Sequence, residues 1–479
     1  MSLGAAQSSP GTAHVLLSAY TVDPRRGSEP GVGFHWIGVL LDAGCRVTAL
    51  VHQDRGGGVE YTAGLLGDHL RAGRLRLLAV SPGPLARGLR AIPGAWYLGY
   101  RCWQLQAAAA ARKAIALDPP DWIHHVSFNG YREPGFLHRL GRPFVWGPIG
   151  GVQNADPRLV RLQGALPRAV EAVRSALNRW CAAHAARPRA ARAAARVVLA
   201  ANPEATAWAR RGRGAIVLSL LETAVETVDP PPATVEGRSG ALWVGSDEPR
   251  KNPEFALLAH ALLRRCVPQT GLSLVGLGPS RERSLRAWAH GRGIDLAGVR
   301  FLARQSRAEL AGLYRSARLF WFTSYRDTSG NVLLEAMASG AVPVAFAQQG
   351  AASILAGGAG ELVPLAAMRA MLSDWVRRSR RLMCNERAWA VMAQAATIRV
   401  EGRYRWEAKW PALRPVLQQA GVWPAVAASS PSSAPTARAS RPPSPACAVD
   451  LPPLGSLPAP FIGAYRGANR ANRAKSATW

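Results

Sequence analysis

The sequence predicts an α/β protein built as two successive open parallel-sheet units, and three observations predict it. From residue 14 to about residue 223, strand-length apolar runs alternate with helical stretches: 14–20, 31–43, 46–52, 61–70 and 75–80. A second rhythm of the same kind starts at Ala241 and runs to about Val400. Between them, residues 227–240 carry three successive prolines, Pro230, Pro231 and Pro232, and read as a linker. The chain thus divides into a polar, disordered lead (1–12), a first domain (13–226), the linker, and a second domain (241–402). One more helix (403–423) follows, and then a Pro/Ser/Ala/Arg-rich tail (424–479) read as disordered.

Composition bounds the function. With 479 residues and 48% hydrophobic content the chain is long enough for two cores. Cys45, Cys102, Cys181, Cys266, Cys384 and Cys447 are scattered, with no C-x-x-C pair and no zinc spacing, and read as reduced core residues. No charged segment precedes an apolar stretch at the N-terminus, and no apolar run has the length to cross a bilayer. The expected location is therefore cytoplasmic, with the inner face of the plasma membrane as a peripheral site. The formal net charge is +29, and only four of the 59 basic residues are lysines. Such a charge suits nucleic acid, anionic lipid or a phosphorylated substrate, although a genome-wide bias toward arginine codons produces it as well.

Each unit has its candidate ligand-facing segments. After the first strand, Asp23-Pro-Arg-Arg-Gly-Ser-Glu-Pro-Gly-Val-Gly forms a loop in which Gly27, Gly31 and Gly33 permit close backbone approach. The spacing differs from G-x-G-x-x-G, although Asp54 lies about twenty residues on, where a ribose-binding acid would stand. Asp121-Trp-Ile-His-His ends a strand with His124 and His125, and Phe144-Val-Trp-Gly-Pro-Ile-Gly-Gly follows. Either histidine is a candidate site residue or a satisfied core residue. Trp96, Tyr100 and Trp103 share a helical face beside Arg90, Arg101 and Arg112, a stripe read as core. Residues 154–196 hold nine arginines against two acids, Asp156 and Glu171, a patch suited to an anionic lipid surface.

The second unit opens with Leu-Trp-Val-Gly-Ser-Asp-Glu-Pro-Arg-Lys-Asn (residues 242–252), which places Arg250 and Lys251 after a strand. A lysine is a compact charge suited to phosphate. The run Leu-Val-Gly-Leu-Gly-Pro at 274–279 is a strand with a glycine turn containing Gly276. Then comes the most informative segment, Arg-Asp-Thr-Ser-Gly-Asn-Val-Leu-Leu-Glu-Ala-Met-Ala-Ser-Gly (326–340). The apolar run 317–322 before it reads as a buried strand, so Asp327 sits in a strand-to-helix loop and Glu335 in the first turns of the helix. The backbone N–H groups of Ser329, Gly330 and Asn331 would then point outward unpaired, as phosphate requires. A lone D-x7-E pair is more often a helix cap and a solvated residue. The flanking residues reverse that reading.

This segment resembles the E-x7-E signature of the retaining family 4 glycosyltransferases, which have the GT-B fold of two Rossmann-like domains facing across a cleft. Asp327 stands where most members carry Glu. The first loop resembles the G-S-E-P-G-x-G subset of that family. By that resemblance Gly31 and Gly33 approach the donor diphosphate, Glu29 faces acceptor or sugar, and the segment 147–151 lines the cleft. The resemblance places a histidine, His124 or His125, near the transferred sugar, and Gly276 beside the donor. It gives Lys251 to the donor phosphates and puts Ser246 where an arginine is usual, with Arg250 as its substitute. It further implies that Glu335 holds the ribose, that Asp327 holds the sugar hydroxyls, and that the last helix returns to the first domain.

What the resemblance implies is a retaining hexosyltransferase that uses a nucleotide-sugar and a glycan or lipid-linked acceptor, in envelope or extracellular polysaccharide assembly. It requires no cofactor or metal, and the sequence contains no D-x-D pair. Two rivals stand beside it. Ser246 and Asp327 depart from the pattern as in a catalytically silent GT-B scaffold. The net charge alone fits a polyanion or nucleic-acid binder, but no basic-aromatic module of known type appears, so nucleic acid is not an expected partner.

Overall fold

The computed structural model describes residues 13–25, 29–53, 56–83, 88–89, 95–230, 232 and 234–424. The lead expected at 1–12 lies outside these residues, as do all but Pro424 of the tail expected at 424–479, and Gly27, Asp54, Arg90 and Pro231.

The first domain is a seven-stranded sheet of β1 (His14–Ser18), β2 (Arg46–His52), β3 (Leu75–Val80), β4 (Trp122–His125), β5 (Phe144–Ile149), β6 (Val197–Ala200) and β7 (Ile216–Ser219). Its spatial order is β3-β2-β1-β4-β5-β6-β7, and every pairing is parallel. The second domain is a six-stranded sheet of β8 (Ser239–Val244), β9 (Leu272–Val275), β10 (Val299–Leu302), β11 (Ala317–Phe322), β12 (Val342–Phe346) and β13 (Glu361–Val363). Its order is β10-β9-β8-β11-β12-β13, again all parallel. Both sheets are therefore Rossmann-like, and together they form the GT-B arrangement. In each, the strand order reverses between two central neighbours: β1 and β4 in the first, β8 and β11 in the second. Ligands bind open α/β sheets at the carboxyl ends of such a pair.

The strands read as apolar runs because helices cover both sheet faces. All five residues of β1 and of β12 are buried, as are all six of β5. Each domain has two core clusters, one on either side of its sheet. The aromatic stripe belongs to such a core, with Tyr100 and Trp103 buried on helix Trp96–Leu117.

Two features join the domains. Helix Lys409–Gln419 packs Leu413 and Leu417 into the first-domain core beside Trp36, so the chain does return across the cleft. The helix expected at 403–423 is shorter, Lys409–Gln419, and is set off by a break from the helix before it. Helix Glu386–Arg403 stops, and the next begins at Lys409. In the gap, Val225 N–H donates to the Tyr404 carbonyl at 2.9 Å, and the Trp406 ring stacks on His35. These tertiary contacts override local helix propensity. In the other direction, the short helix Pro157–Val160 leaves the first sheet and buries Leu159 and Val160 in the second-domain core.

Leu159→Ala should therefore destabilise the second domain's core by about 2–5 kcal/mol, read as a lower urea midpoint. A loss under about 1 kcal/mol would mean that the segment is not docked there.

Candidate functional site

The loops that leave β1, β4, β8 and β11 meet at one place. After β8, Pro249–Lys251 forms a single 3-10 turn that ends at Asn252, whose left-handed backbone (φ 56°) starts helix Pro253–Arg264. Asparagine tolerates this conformation better than most residues. The turn projects Arg250 and Lys251 toward the β11 loop. Lys251 Nζ lies 2.6 Å from Asp327 Oδ2, and Arg250 Nη1 lies 2.9 Å from the same oxygen. Arg250 also donates to both carboxylate oxygens of Glu248, and Glu248 accepts from the Ser246 hydroxyl at 3.1 Å. Arg250 is thus held between two carboxylates, with Ser246 on the outer one. Burial pulls the Asp327 carboxyl toward the neutral form, but the Lys251 and Arg250 charges outweigh it and hold its pKa below the usual range.

The rest of the β11 loop is fixed just as closely. Asp327 N–H donates to Gln349 Oε1 at 2.7 Å, while Gln349 Nε2 donates to the Asn154 carbonyl of the first domain at 3.0 Å. Gln349 itself has φ 52°, a left-handed conformation that costs a non-glycine residue energy and marks sites the surroundings over-determine. Gly330, at φ 72°, precedes helix Asn331–Ala338. A Cβ there would lie 2.9 Å from the Phe322 ring, so glycine is required. As the sequence indicates, the N–H groups of Ser329, Gly330 and Asn331 find no protein acceptor among the described residues. Glu335 keeps an exposed face and accepts from the Tyr314 hydroxyl at 3.0 Å. The protein around its carboxyl raises its pKa, opposed by that hydrogen bond and by Arg307.

The first domain meets this loop through polar side chains and a close backbone approach. Gln153 donates to the Thr328 hydroxyl at 2.8 Å, and Asn202 donates to the Thr328 carbonyl at 3.3 Å. Gly150 lies so near that a Cβ would stand 2.2 Å from Thr328 Cγ2. Of the segment 147–151, Gly150 therefore lines the junction, while Gly147, Pro148 and Ile149 belong to the buried strand β5.

A group the sequence did not reveal completes the junction. Glu222, after β7, accepts from Ser329 Oγ at 2.6 Å and from Asn129 Nδ2 at 3.0 Å. Glu29 accepts from the Asn129 N–H at 3.4 Å. Oε2 of each glutamate is enclosed without a hydrogen-bond partner among the described residues. Burial, and then the Glu222 charge, push the Glu29 carboxyl up to about 8. Burial likewise raises Glu222, and it lowers the neighbouring Lys409 to about 7. Lys409 donates to the Leu221 and Thr223 carbonyls on either side of Glu222.

The remaining expected residues are placed differently. Gly31 and Gly33 fall inside helix Glu29–Asp42 rather than in a loop, because Glu29-Pro30 is a good helix start. A Cβ on Gly33 would stand 2.2 Å from the Thr21 carbonyl, so helix-to-loop packing alone demands this glycine. Gly276 (φ 92°) packs on Gly245, where a Cβ would meet the Gly245 carbonyl at 2.4 Å. His124 and His125 are enclosed in the core. His124 Nε2 lies 2.8 Å from the Gly147 carbonyl and its ring meets Trp36 edge-on; burial lowers it to about 4 and His125 to about 3. Neither forms a hydrogen bond or ion pair with the segment 327–331 among the described residues. No cluster of three or more His, Cys, Asp or Glu suited to a metal ion occurs among the described residues.

Residues 238–378 match the family model described as glycosyl transferases group 1. D-inositol 3-phosphate glycosyltransferase of Corynebacterium jeikeium is 30% identical over 188 residues, covering 37% of this chain and 42% of the relative. The protein of that name from Mycobacterium avium is 41% identical over 110 residues, 22% of this chain and 25% of the relative. The match thus spans less than half the length of these curated relatives. Sucrose-phosphate synthase from Thermosynechococcus elongatus superimposes with a TM-score of 0.56 at 17% identity, over 85% of this chain and 98% of that one. Anabaena HepE, solved in complex with UDP, gives 0.52 at 17% identity over 85% and 100%. At these identities the likeness is one of fold.

The glutamate pair yields a pH dependence. Glu29 keeps its proton in the folded state up to about 8, while the unfolded chain releases it near the ordinary value of 4.5. Between these values the unfolded state binds fewer protons, so stability falls as pH rises. Thermal unfolding of wild type and Glu29→Gln should therefore diverge across this window, with wild type losing more toward high pH. Parallel curves would place an ordinary carboxyl there.

Proposed function

We propose that this protein, whose residues 238–378 match the glycosyl transferases group 1 and whose two domains form the GT-B arrangement, transfers a sugar, with retention, from a nucleotide-sugar to a hydroxyl acceptor. The observation that carries the reading is the convergence of donors at the second sheet's reversal point. Lys251 and Arg250 come from the β8 loop, and the free N–H groups of Ser329, Gly330 and Asn331 come from the β11 loop. A diphosphate fits that array, because helix starts and fixed cations both favour anions. Anabaena HepE, of the same fold, is solved with UDP.

In this reading the donor diphosphate takes Lys251 and the three N–H groups, and Glu335, open at the second turn of its helix, holds the ribose. Asp327 keeps the two cations in position, and a small change in its pairing leaves it able to hold sugar hydroxyls. Charge developing on the departing diphosphate is then met by groups already in place, which lowers the barrier without reorganisation. The leaving phosphate takes the acceptor's proton. No metal is needed, since Lys251 and Arg250 supply the positive charge. The acceptor enters from the first-domain side, near Glu29, Asn129 and Glu222, and a glycan or lipid-linked hydroxyl of envelope or polysaccharide assembly is the proposed class. His124 and His125 act here through the packing of the β4 end.

One observation favours a silent scaffold: Asp327 and Glu248 already pair with both cations. Calorimetric titration of UDP, GDP and ADP against the full chain separates the two readings. The expected result is micromolar binding of one nucleotide, weakened in Lys251→Ala by about 1.5–3 kcal/mol, or roughly 10- to 100-fold. Transfer from the matching nucleotide-sugar should then give a product of unchanged anomeric configuration. If none of the three nucleotides binds, the scaffold stands. An inverted product would remove retention while leaving transfer in place.

A further inference from the structure

Helix Ala165–His184 is amphipathic in the wrong sense for a soluble domain. Its inward face is polar. Glu171, Ser175 and Asn178 are buried, and Asn178 Nδ2 donates to the Val152 carbonyl at 2.9 Å. Glu171 pairs with Arg174 at 2.7 Å and with Arg326 of the second domain at 3.1 Å. Its outward face is apolar. Leu166 (75% exposed), Val170 (59%), Val173 (61%), Leu177 (55%) and Trp180 (60%) repeat at the spacing of a single helical stripe. A surface helix ordinarily shows the reverse, and five such side chains in a row form a patch that water does not favour.

Charge says what covers this stripe. Arg168 and Arg179 are exposed beside it, and Arg161 and Arg189 are exposed beyond its two ends. Between Asp156 and Glu204 the only acid is Glu171, which is buried in its ion pairs. An apolar stripe with Trp and Leu, flanked by arginines and free of exposed acids, has the chemistry of an interfacial helix on anionic lipid. No described helix is long and apolar enough to cross a membrane, so binding through this stripe would be peripheral.

We propose that helix Ala165–His184 is a membrane-docking element, lying flat on an anionic bilayer with Leu166, Val170, Val173, Leu177 and Trp180 inserted. Its polar face is fastened to the β11 loop through Glu171 and Arg326. The bilayer would then lie about one helix diameter, roughly 10 Å, from the residue next to Asp327. The inference does not rest on the glycosyl-transfer reading, and its test is separate.

The full chain is sedimented with phosphatidylcholine vesicles and with vesicles that also contain phosphatidylglycerol. Wild type should bind the anionic vesicles at least ~10-fold more tightly than the neutral ones, and high salt should weaken the binding. The triple variant Val173→Ser, Leu177→Ser, Trp180→Ser should lose ~10-fold or more on anionic vesicles. All three side chains are exposed, so its thermal unfolding and nucleotide titration should match wild type. Arg168→Glu with Arg179→Glu should act in the same direction. The proposal is overturned if the triple variant binds vesicles as wild type does, since arginines elsewhere then carry the attraction. It is also overturned if wild type ignores the vesicles and instead self-associates in a way the triple variant abolishes, since the stripe is then an interface between copies.

Discussion

One carboxylate oxygen, Asp327 Oδ2, draws together the loops of the second sheet's reversal point. It takes Lys251 and Arg250 from the β8 loop, while its own backbone is pinned by Gln349. Such a cluster is costly to desolvate, and its stability rests on each member keeping its partners. With Glu248 on the far side of Arg250, the two cations are balanced by two carboxylates. An incoming anion must therefore compete with Asp327 and Glu248 for them. The next residue, Thr328, carries the hydrogen bonds to the first domain, so the geometry of the charge cluster and the closure of the cleft are set by neighbouring residues on one short segment.

The first domain answers largely with uncharged groups. Gln153 and Asn202 donate to Thr328 and the Asn154 carbonyl accepts from Gln349, so these contacts do not add to the charge of the loop. The ionisable exceptions are Glu171, paired with Arg326, and Glu29 and Glu222, enclosed together where the domains meet. A buried carboxyl pair is tolerated when one member stays protonated, and the high pKa of Glu29 is that condition. The junction thus combines a fully ionised cluster on one side with a largely neutral one on the other.

Much of this was legible in the sequence. The apolar runs at 46–52 and 317–322 coincide with β2 and β11, because strands buried on both faces leave a near-continuous apolar signature, and the run at 75–80 coincides with the half-buried edge strand β3. The loop holding Asp327 and the helix holding Glu335 were legible for the same reason, since a strand end and a glycine punctuate them. Glu222 and Gln349 were not. Glu222 matters because of Asn129 and Ser329, each about a hundred residues away, and Gln349 because of a left-handed backbone that no local pattern announces for glutamine. The interruption at 404–408 escaped because its cause, a bridge to Val225, is tertiary. The nine arginines of 154–196 were visible as a patch. That the helix among them turns its polar side inward could be known only once the fold showed which side faces in.

Gly150 sets how closely the two halves can approach. Their contact at Thr328 tolerates a hydrogen atom where any other residue would place a methyl. The approach of the two domains is therefore limited, at this position, by the thickness of one carbon. An alanine there would act as a wedge between them without removing a charged or hydrogen-bonding group of the cleft. What this glycine contributes is steric room, a property that neither pH nor salt alters.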